Sequence, residues 1–128
     1  MPIYQCFSPE GLLSDASRGQ VAEEITRIHC RTMGVPPSYV NVMFTDVPAG
    51  KYYVAGQPAA NSVLSAAIRA GHDVATRQRM LQDLSRMWTR LTGQPERELL
   101  LTLWENPAEN AMEAGSIFPP VAPEQTPT

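Results

Sequence analysis

The residues of this chain that could move protons are few and lie far apart in the sequence. Pro2 would carry a free secondary amine once the initiator methionine is removed, which is usual before a small second residue. An α-amino group has an ordinary pKa of about 7.7–8.0, so such an amine can take or return a proton near neutral pH. The structural alternative is a proline that merely begins a strand, where its missing N–H costs least. If Met1 stays in place, the Pro2 nitrogen is an amide and cannot take a proton.

Two histidines, an arginine and a glutamate are the next candidates. His29 lies at the edge of the apolar stripe of a predicted helix and in its last turn; a partly buried histidine favoured by the helix C-terminus is the structural alternative. Arg69 ends an apolar segment, with His72 three residues later; a solvated charge is the alternative interpretation of Arg69. Glu113 lies among other carboxylates, and its spacing alone does not separate a catalytic acid from surface charge.

The composition argues against several other kinds of chemistry. The 128 residues have 10 Lys+Arg against 13 Asp+Glu and a net charge of −3, so an overall basic surface for nucleic acid is absent. Cys6 and Cys30 are too few for a disulfide framework and, with two histidines and no CxxC pair, make no convincing zinc site. The single lysine, Lys51, lies in a Pro/Gly-flanked stretch rather than in the apolar pocket that a Schiff-base lysine needs.

The chain also lacks signals for membranes and for bound nucleotides. No apolar run approaches the roughly 20 residues that cross a bilayer, and the start MPIYQCFSPE has neither the basic region nor the apolar segment of a signal peptide. No nucleotide-binding glycine loop or nucleophilic-serine motif is present. We therefore expect a cytoplasmic protein that needs no metal or organic cofactor and binds neither nucleic acid nor membranes.

The elements that must position the candidate residues come as an internal repeat. Residues spaced 59 apart recur in the same order, as Gly34 and Gly93, Pro36 and Pro95, Pro48 and Pro107, Ala49 and Ala108. Apolar positions follow the same spacing. The repeat predicts two copies of one supersecondary unit, at about residues 2–50 and 61–110.

Each copy is predicted to form a strand, a helix and a strand. We expect strand 3–7, helix 15–33 between a Ser14 or Asp15 cap and Gly34, strand 39–46, strand 62–69, a helix from the Asp73 cap to Gly93, and strand 98–105. Right-handed crossovers then place both helices on one face of a four-stranded mixed sheet, which is an α+β fold of two tandem βαβ repeats. This topology brings His29 near Pro2, and a two-fold relation between the copies makes Arg69 face Pro2.

The predicted sheet has one face without helices. Met43 and Leu100 are apolar residues on that face, so we expect another subunit to cover it. One domain is predicted at residues 1–118, followed by a Pro-rich flexible tail at 119–128, with Phe118 as the last anchor.

These features resemble the tautomerase superfamily, whose members use an amino-terminal proline as acid or base. The resemblance rests on the MPIY start, the two βαβ copies, the segment GVPPSYVNVMF after the first helix, and IRAGH in the second copy. Within the superfamily the chain is most similar to the cis-3-chloroacrylic acid dehalogenase group, because of its fused repeat, the histidine in ITRIH and the ending ENPAENAMEAG. The resemblance covers roughly residues 2–120.

The resemblance implies a role for each candidate residue. Pro2 would be the catalytic proline, His29 a hydrogen-bond donor to substrate, Arg69 a carboxylate binder and Glu113 the carboxylate that activates water. His72 and Thr102 would be further substrate-binding positions, but both depart from the group's pattern, which has a second arginine and a tyrosine there. The family packs three such units around an axis, so a homotrimer is expected.

The differences from the group's pattern at His72 and Thr102 determine which activity we expect. A second arginine would clamp and polarise an unsaturated acid, and a tyrosine hydroxyl would help orient an attacking water. The absence of this arginine and this tyrosine should lower the rates of hydration and dehalogenation more than the rate of a proton shift. We therefore expect a keto–enol tautomerase of small 2-oxo or unsaturated carboxylic acids. The alternatives are a cofactor-independent dehalogenase or hydratase of 3-haloacrylates and, from a different class, a non-catalytic trimeric protein of this fold.

Overall fold

Two βαβ units in tandem form the fold, which confirms the α+β prediction. The computed structural model describes residues 1–121, so the predicted tail lies mostly outside the described residues. In chain order the helices and strands are β1 (Ile3–Pro9), α1 (Asp15–Met33), β2 (Asn41–Val47), β3 (Tyr53–Val54), β4 (Gln57–Pro58), β5 (Ser62–Arg69), α2 (Val74–Thr92), β6 (Leu99–Asn106), β7 (Met112–Glu113) and β8 (Ser116–Ile117).

The main sheet has four strands in the order β2-β1-β5-β6. β1 pairs in parallel with β2, and β5 pairs in parallel with β6, as a strand–helix–strand crossover requires. The two central strands, β1 and β5, are antiparallel, with Gln5 opposite Ser65. The first strands of the two repeats therefore lie side by side and point in opposite directions, which places the start of one beside the end of the other.

Local capping sets the helix ends. The Ser14 hydroxyl accepts a hydrogen bond from the Ser17 N–H at 3.1 Å, and the Ser17 hydroxyl accepts one from the Ser14 N–H at 2.7 Å. This capping box makes Ser14, not Asp15, the N-cap of α1. Asp73 caps α2 by accepting from the Thr76 N–H at 2.7 Å. Both helices stop at a glycine in the left-handed region, which confirms the predicted helices.

The second strand of each repeat begins later than predicted. β2 starts at Asn41 rather than at residue 39, and β6 starts at Leu99 rather than at residue 98. The residues before them, Pro37–Tyr39 and Glu96–Glu98, form single 3-10 turns, with the Tyr39 N–H donating to the Pro36 carbonyl at 3.0 Å. The residues of a 3-10 turn have helical rather than extended backbone angles, so each strand begins only after the turn.

One short hairpin follows the second strand of each repeat, and neither hairpin was predicted. β3 and β4 are joined by Ala55 and Gly56, and β7 and β8 by Ala114 and Gly115. All four linking residues have positive φ, between 51° and 83°. Positive φ at both central residues matches the twist of a two-residue hairpin, and glycine supplies it without strain only at the second position.

The core lies between the helices and the inner face of the sheet. Its fully buried side chains include Tyr4, Ile25, Leu64, Met80, Leu84 and Trp88. The other face of the sheet is open, with Met43 53% exposed, Leu100 59% and Trp104 64%. Within residues 1–121, neither helix is long and apolar enough to span a membrane.

Candidate active site

Pro2 is buried at the entry of β1. Its carbonyl accepts hydrogen bonds from the backbone N–H of Asn41 at 3.0 Å and from Asn41 Nδ2 at 3.3 Å. A proline has no N–H to leave unpaired here, so strand entry costs nothing in hydrogen bonds. Two hydrogen bonds thus fix residue 2 against the start of β2.

The amino terminus is held by the last hairpin. The ammonium of Met1 lies 3.0 Å from Oε2 of Glu113, and Asn106 Nδ2 lies 3.8 Å from Met1 Sδ. The Glu113 side chain is 46% exposed, so the ion pair adds little stability by itself. It does show that a carboxylate meets the start of the chain at the entry of β1.

Arg69 lies on the strand next to that entry. The antiparallel register ends with Ile3 opposite Ala67, and its continuation by two residues places Met1 opposite Arg69. Arg69 Nη1 donates to the Pro119 carbonyl at 2.8 Å, and the guanidinium lies 5.9 Å from the centre of the Phe118 ring. A guanidinium has five N–H donors. The segment after β8 therefore holds Arg69 while leaving donors for a carboxylate.

His29 is buried beneath this group, with 3% of the residue exposed. Its Nδ1 lies 2.6 Å from Tyr4 Oη, and the two rings meet edge to face with centroids 5.6 Å apart. Burial lowers the pKa of His29 to about 4, and the positive charges of His72, the amino terminus and Arg69 act in the same direction. His29 is therefore neutral at pH 7, with one donor and one acceptor nitrogen.

The two substrate-binding positions that depart from the family pattern lie in different places. His72 lies between β5 and α2, where its carbonyl accepts from Arg77 Nη1, and its charge reaches His29. Thr102 lies in the middle of β6 on the open face of the sheet, paired with Ser65, which in turn pairs with Gln5. Within one chain, His72 is close enough for its charge to lower the pKa of His29, whereas Thr102 lies on the open face of the sheet.

A cleft beside Glu113 offers space for a small molecule. Its volume is about 320 Å³, and its walls include Tyr39 on one side and Ile117, Phe118 and Pro119 on the other. Glu113 lines this cleft and also binds the amino terminus, so the cleft lies next to the entry of β1. Among residues 1–121, no three His, Cys, Asp or Glu side chains are grouped as a metal site would require.

The second repeat carries no equivalent of the buried histidine. Trp88 occupies the position in α2 that His29 occupies in α1, 59 residues earlier. Its ring is fully buried, and Nε1 donates to Gln94 Oε1 at 2.8 Å. The two halves therefore share the fold, but at this pair of equivalent positions only the first half has a titratable side chain, His29.

Comparison with known proteins gives a family match over almost the whole chain. A sequence model of the family described as putative oxalocrotonate tautomerase enzyme matches residues 1–127. No curated protein matches the chain significantly in sequence.

Three solved structures are similar to this one over nearly their full lengths. Native Ps01740 is 36% identical, covers 87% of this chain and 99% of its own, and superposes with a TM-score of 0.85. N1, a member of the cis-3-chloroacrylic acid dehalogenase family, is 26% identical, with coverages of 93% and 85% and a TM-score of 0.89. Pt0534 inactivated by 2-oxo-3-pentynoate is 28% identical, with coverages of 91% and 94% and a TM-score of 0.83.

Proposed function

The chain belongs to the tautomerase superfamily, and from this premise we propose that it is a keto–enol tautomerase of small 2-oxo or unsaturated carboxylic acids, with Pro2 as acid and base. The observation that carries the proposal is the meeting of three elements at the entry of β1. Buried Pro2 precedes that strand, the carboxylate of Glu113 lies 3.0 Å from the ammonium of Met1, the residue before Pro2, and Arg69 ends the neighbouring strand.

The proposed reaction moves one proton between two atoms of the substrate. After removal of Met1, the unprotonated Pro2 amine takes the proton from the enol oxygen, and an enolate forms. The resulting ammonium returns the proton to C3, the keto acid forms, and the amine is free again. Arg69 holds the carboxylate of the substrate through charge-assisted hydrogen bonds, and neutral His29 donates to the oxygen that bears the developing negative charge.

A similar protein supports the class of substrate. Pt0534, 28% identical to this chain, is inactivated by 2-oxo-3-pentynoate, which is a 2-oxo carboxylic acid. A substrate of that class fits the arrangement here, because its carboxylate can face Arg69 while its carbon chain extends toward the cleft of about 320 Å³ beside Glu113.

Dehalogenation or hydration of 3-haloacrylates is the second candidate. It is favoured by the likeness to N1, whose family is named for cis-3-chloroacrylic acid dehalogenase, and by the Glu113 carboxylate beside the Met1 ammonium, which could activate water once Met1 is removed. His72 and Thr102 argue against it as the main activity, because the similar group has an arginine and a tyrosine at these positions. Thr102 lies on the open face of the sheet, so a tyrosine there would act on the site of a neighbouring subunit of the proposed trimer.

A double substitution distinguishes these two activities. We expect His72→Arg with Thr102→Tyr to raise chloride release from cis-3-chloroacrylate while changing enol-to-keto conversion of phenylpyruvate much less. Only the hydration route needs a second clamp and a positioned water. Both reactions are assayed on the same preparations. If the unmodified protein already releases chloride with kcat/KM of about 10⁴ M⁻¹s⁻¹ or more, the dehalogenase assignment replaces the tautomerase one.

A homotrimer is proposed as the working assembly. The open face of the sheet exposes Met43 at one edge and Leu100 and Trp104 at the other, and large exposed apolar residues on an uncovered face favour association. We expect light scattering at micromolar concentration to give three times the chain mass. Trp104→Glu, which places a charge on that face, should shift the distribution toward smaller species. A monomer mass for the unmodified protein would contradict the proposal.

The non-catalytic alternative depends on the first residue of the mature protein. With Met1 retained, the Pro2 nitrogen is an amide and the proposed acid–base step is impossible. Intact mass spectrometry of the natively expressed protein decides this point, since removal of Met1 lowers the mass by one methionine residue.

A further inference from the structure

Tyr4 and His29 form a buried polar pair within an otherwise apolar core. Tyr4 is 0% exposed and His29 3% exposed, and Oη lies 2.6 Å from Nδ1. The pair joins β1 to α1, and the sulfur of Met80 in α2 lies 3.6 Å from the same hydroxyl. Tyr4 was not singled out by the sequence, and the proposed proton transfer does not use it.

The chemistry of the two groups settles which one donates. Burial raises the pKa of Tyr4 far above its ordinary value, so the phenol keeps its proton. Imidazole nitrogen is a better acceptor than a phenol oxygen, and the thioether of Met80 is a weak acceptor. The single phenol proton is therefore directed at Nδ1. In a neutral ring, an accepting Nδ1 leaves the proton on Nε2.

We infer that Tyr4 is a positioning residue that holds His29 in the Nε2–H tautomer, so that the ring presents a neutral N–H donor at the entry of β1. The role of that donor toward substrate rests on the proposed function. The tautomer itself is a property of the folded protein alone. In the proposed reaction Pro2 then transfers the proton, and His29 only stabilises the negative charge on the substrate oxygen.

The surroundings of the pair support a ring that stays neutral. His29 faces the positive charges of His72, the amino terminus and Arg69, and each of them opposes a second proton on the imidazole. Burial of Tyr4 in turn opposes loss of the phenol proton. A second proton on His29 would also break the hydrogen bond from Tyr4, because Nδ1 would no longer accept.

Nitrogen-15 NMR of the unmodified protein gives the first test. We expect His29 to show a protonated Nε2 and an unprotonated Nδ1, with no titration between pH 5 and pH 8. A proton found on Nδ1 would overturn the inference. This measurement needs neither substrate nor a variant, so it stands even if a substitution at the buried pair prevents folding.

Tyr4→Phe gives the second test. Without the hydroxyl, Nδ1 loses its donor, so we expect a mixture of tautomers, a His29 pKa above that of the unmodified protein, and kcat lowered roughly three- to tenfold with KM changed less than twofold. Met80→Leu is the matched control, because it alters the same core at similar volume and leaves the Tyr4–His29 hydrogen bond intact. Unchanged His29 spectra in Tyr4→Phe would refute the inference.

The NMR and kinetic results separate this inference from the proposed function. If Pro2→Ala leaves the activity unchanged while His29 carries its proton on Nε2, the proposed function fails and the role of Tyr4 in fixing the tautomer stands. If activity depends on Pro2 but His29 carries its proton on Nδ1, only the inference about Tyr4 fails, and the proposed function stands.

Discussion

Pro2→Ala is expected to lower enol-to-keto conversion of phenylpyruvate well over tenfold in kcat/KM. Alanine at position 2 still permits methionine removal, but it replaces a secondary amine in a rigid ring by a primary amine with different basicity and geometry. A tenfold loss corresponds to about 1.4 kcal/mol of transition-state stabilisation. The measurement is the decay of enol absorbance under initial-rate conditions.

Pro9→Ala is the matched control for that experiment. Pro9 ends the same strand that Pro2 precedes, and its substitution removes a proline from β1 without touching the amino terminus. Intact masses of both variants must show that Met1 is absent, so that any difference reflects the amine. Full activity in Pro2→Ala would rule out the proline mechanism.

Arg69→Ala is expected to raise KM for 2-oxo acids strongly. The substitution removes a charge-assisted carboxylate contact worth roughly 1.5 to 3 kcal/mol, which corresponds to about ten- to 150-fold in KM. kcat should fall less, because the contact is present in both the ground state and the transition state. The measurement is a full saturation curve for each variant.

Two controls separate carboxylate binding from a general loss of charge. Arg97→Ala removes an exposed arginine from the 3-10 turn before β6, far along the chain from Arg69, and should leave KM unchanged. An enol substrate that lacks the carboxylate should be converted equally well by Arg69→Ala and by the unmodified protein. An equal loss with both substrates would mean that Arg69 acts by another route.

The sequence predicted the parts of the fold that local chemistry determines. The limits of α1 followed from Ser14 and Gly34, because a cap and a left-handed stop are properties of single residues. The two hairpins were missed because their turns contain Ala–Gly, and alanine at positive φ is not a usual turn signal. The repeat spacing could have paired the two turns, since Ala55 and Ala114 are 59 residues apart.

The candidate site was predictable to the extent that topology determines it. The βαβ crossover and the antiparallel central strands led to the expectation that His29 and Arg69 lie near Pro2. The contacts that hold these groups could not be predicted, because they join residues through space. Period-two alternation indicates that Tyr4 faces inward, yet only the structure shows its hydroxyl 2.6 Å from His29, or Arg69 bound to the Pro119 carbonyl.

The ion pair between Met1 and Glu113 joins residues 112 positions apart, so it can form only after nearly the whole chain has been synthesised. Contacts between such distant residues form after local ones, since loop closure must come first. The amino terminus therefore stays accessible until the final hairpin has left the ribosome, and an aminopeptidase can trim it in that interval. Afterwards Pro2 is buried and the Met1 side chain is 13% exposed. We therefore expect Met1 to be removed most readily before the final hairpin folds against the amino terminus.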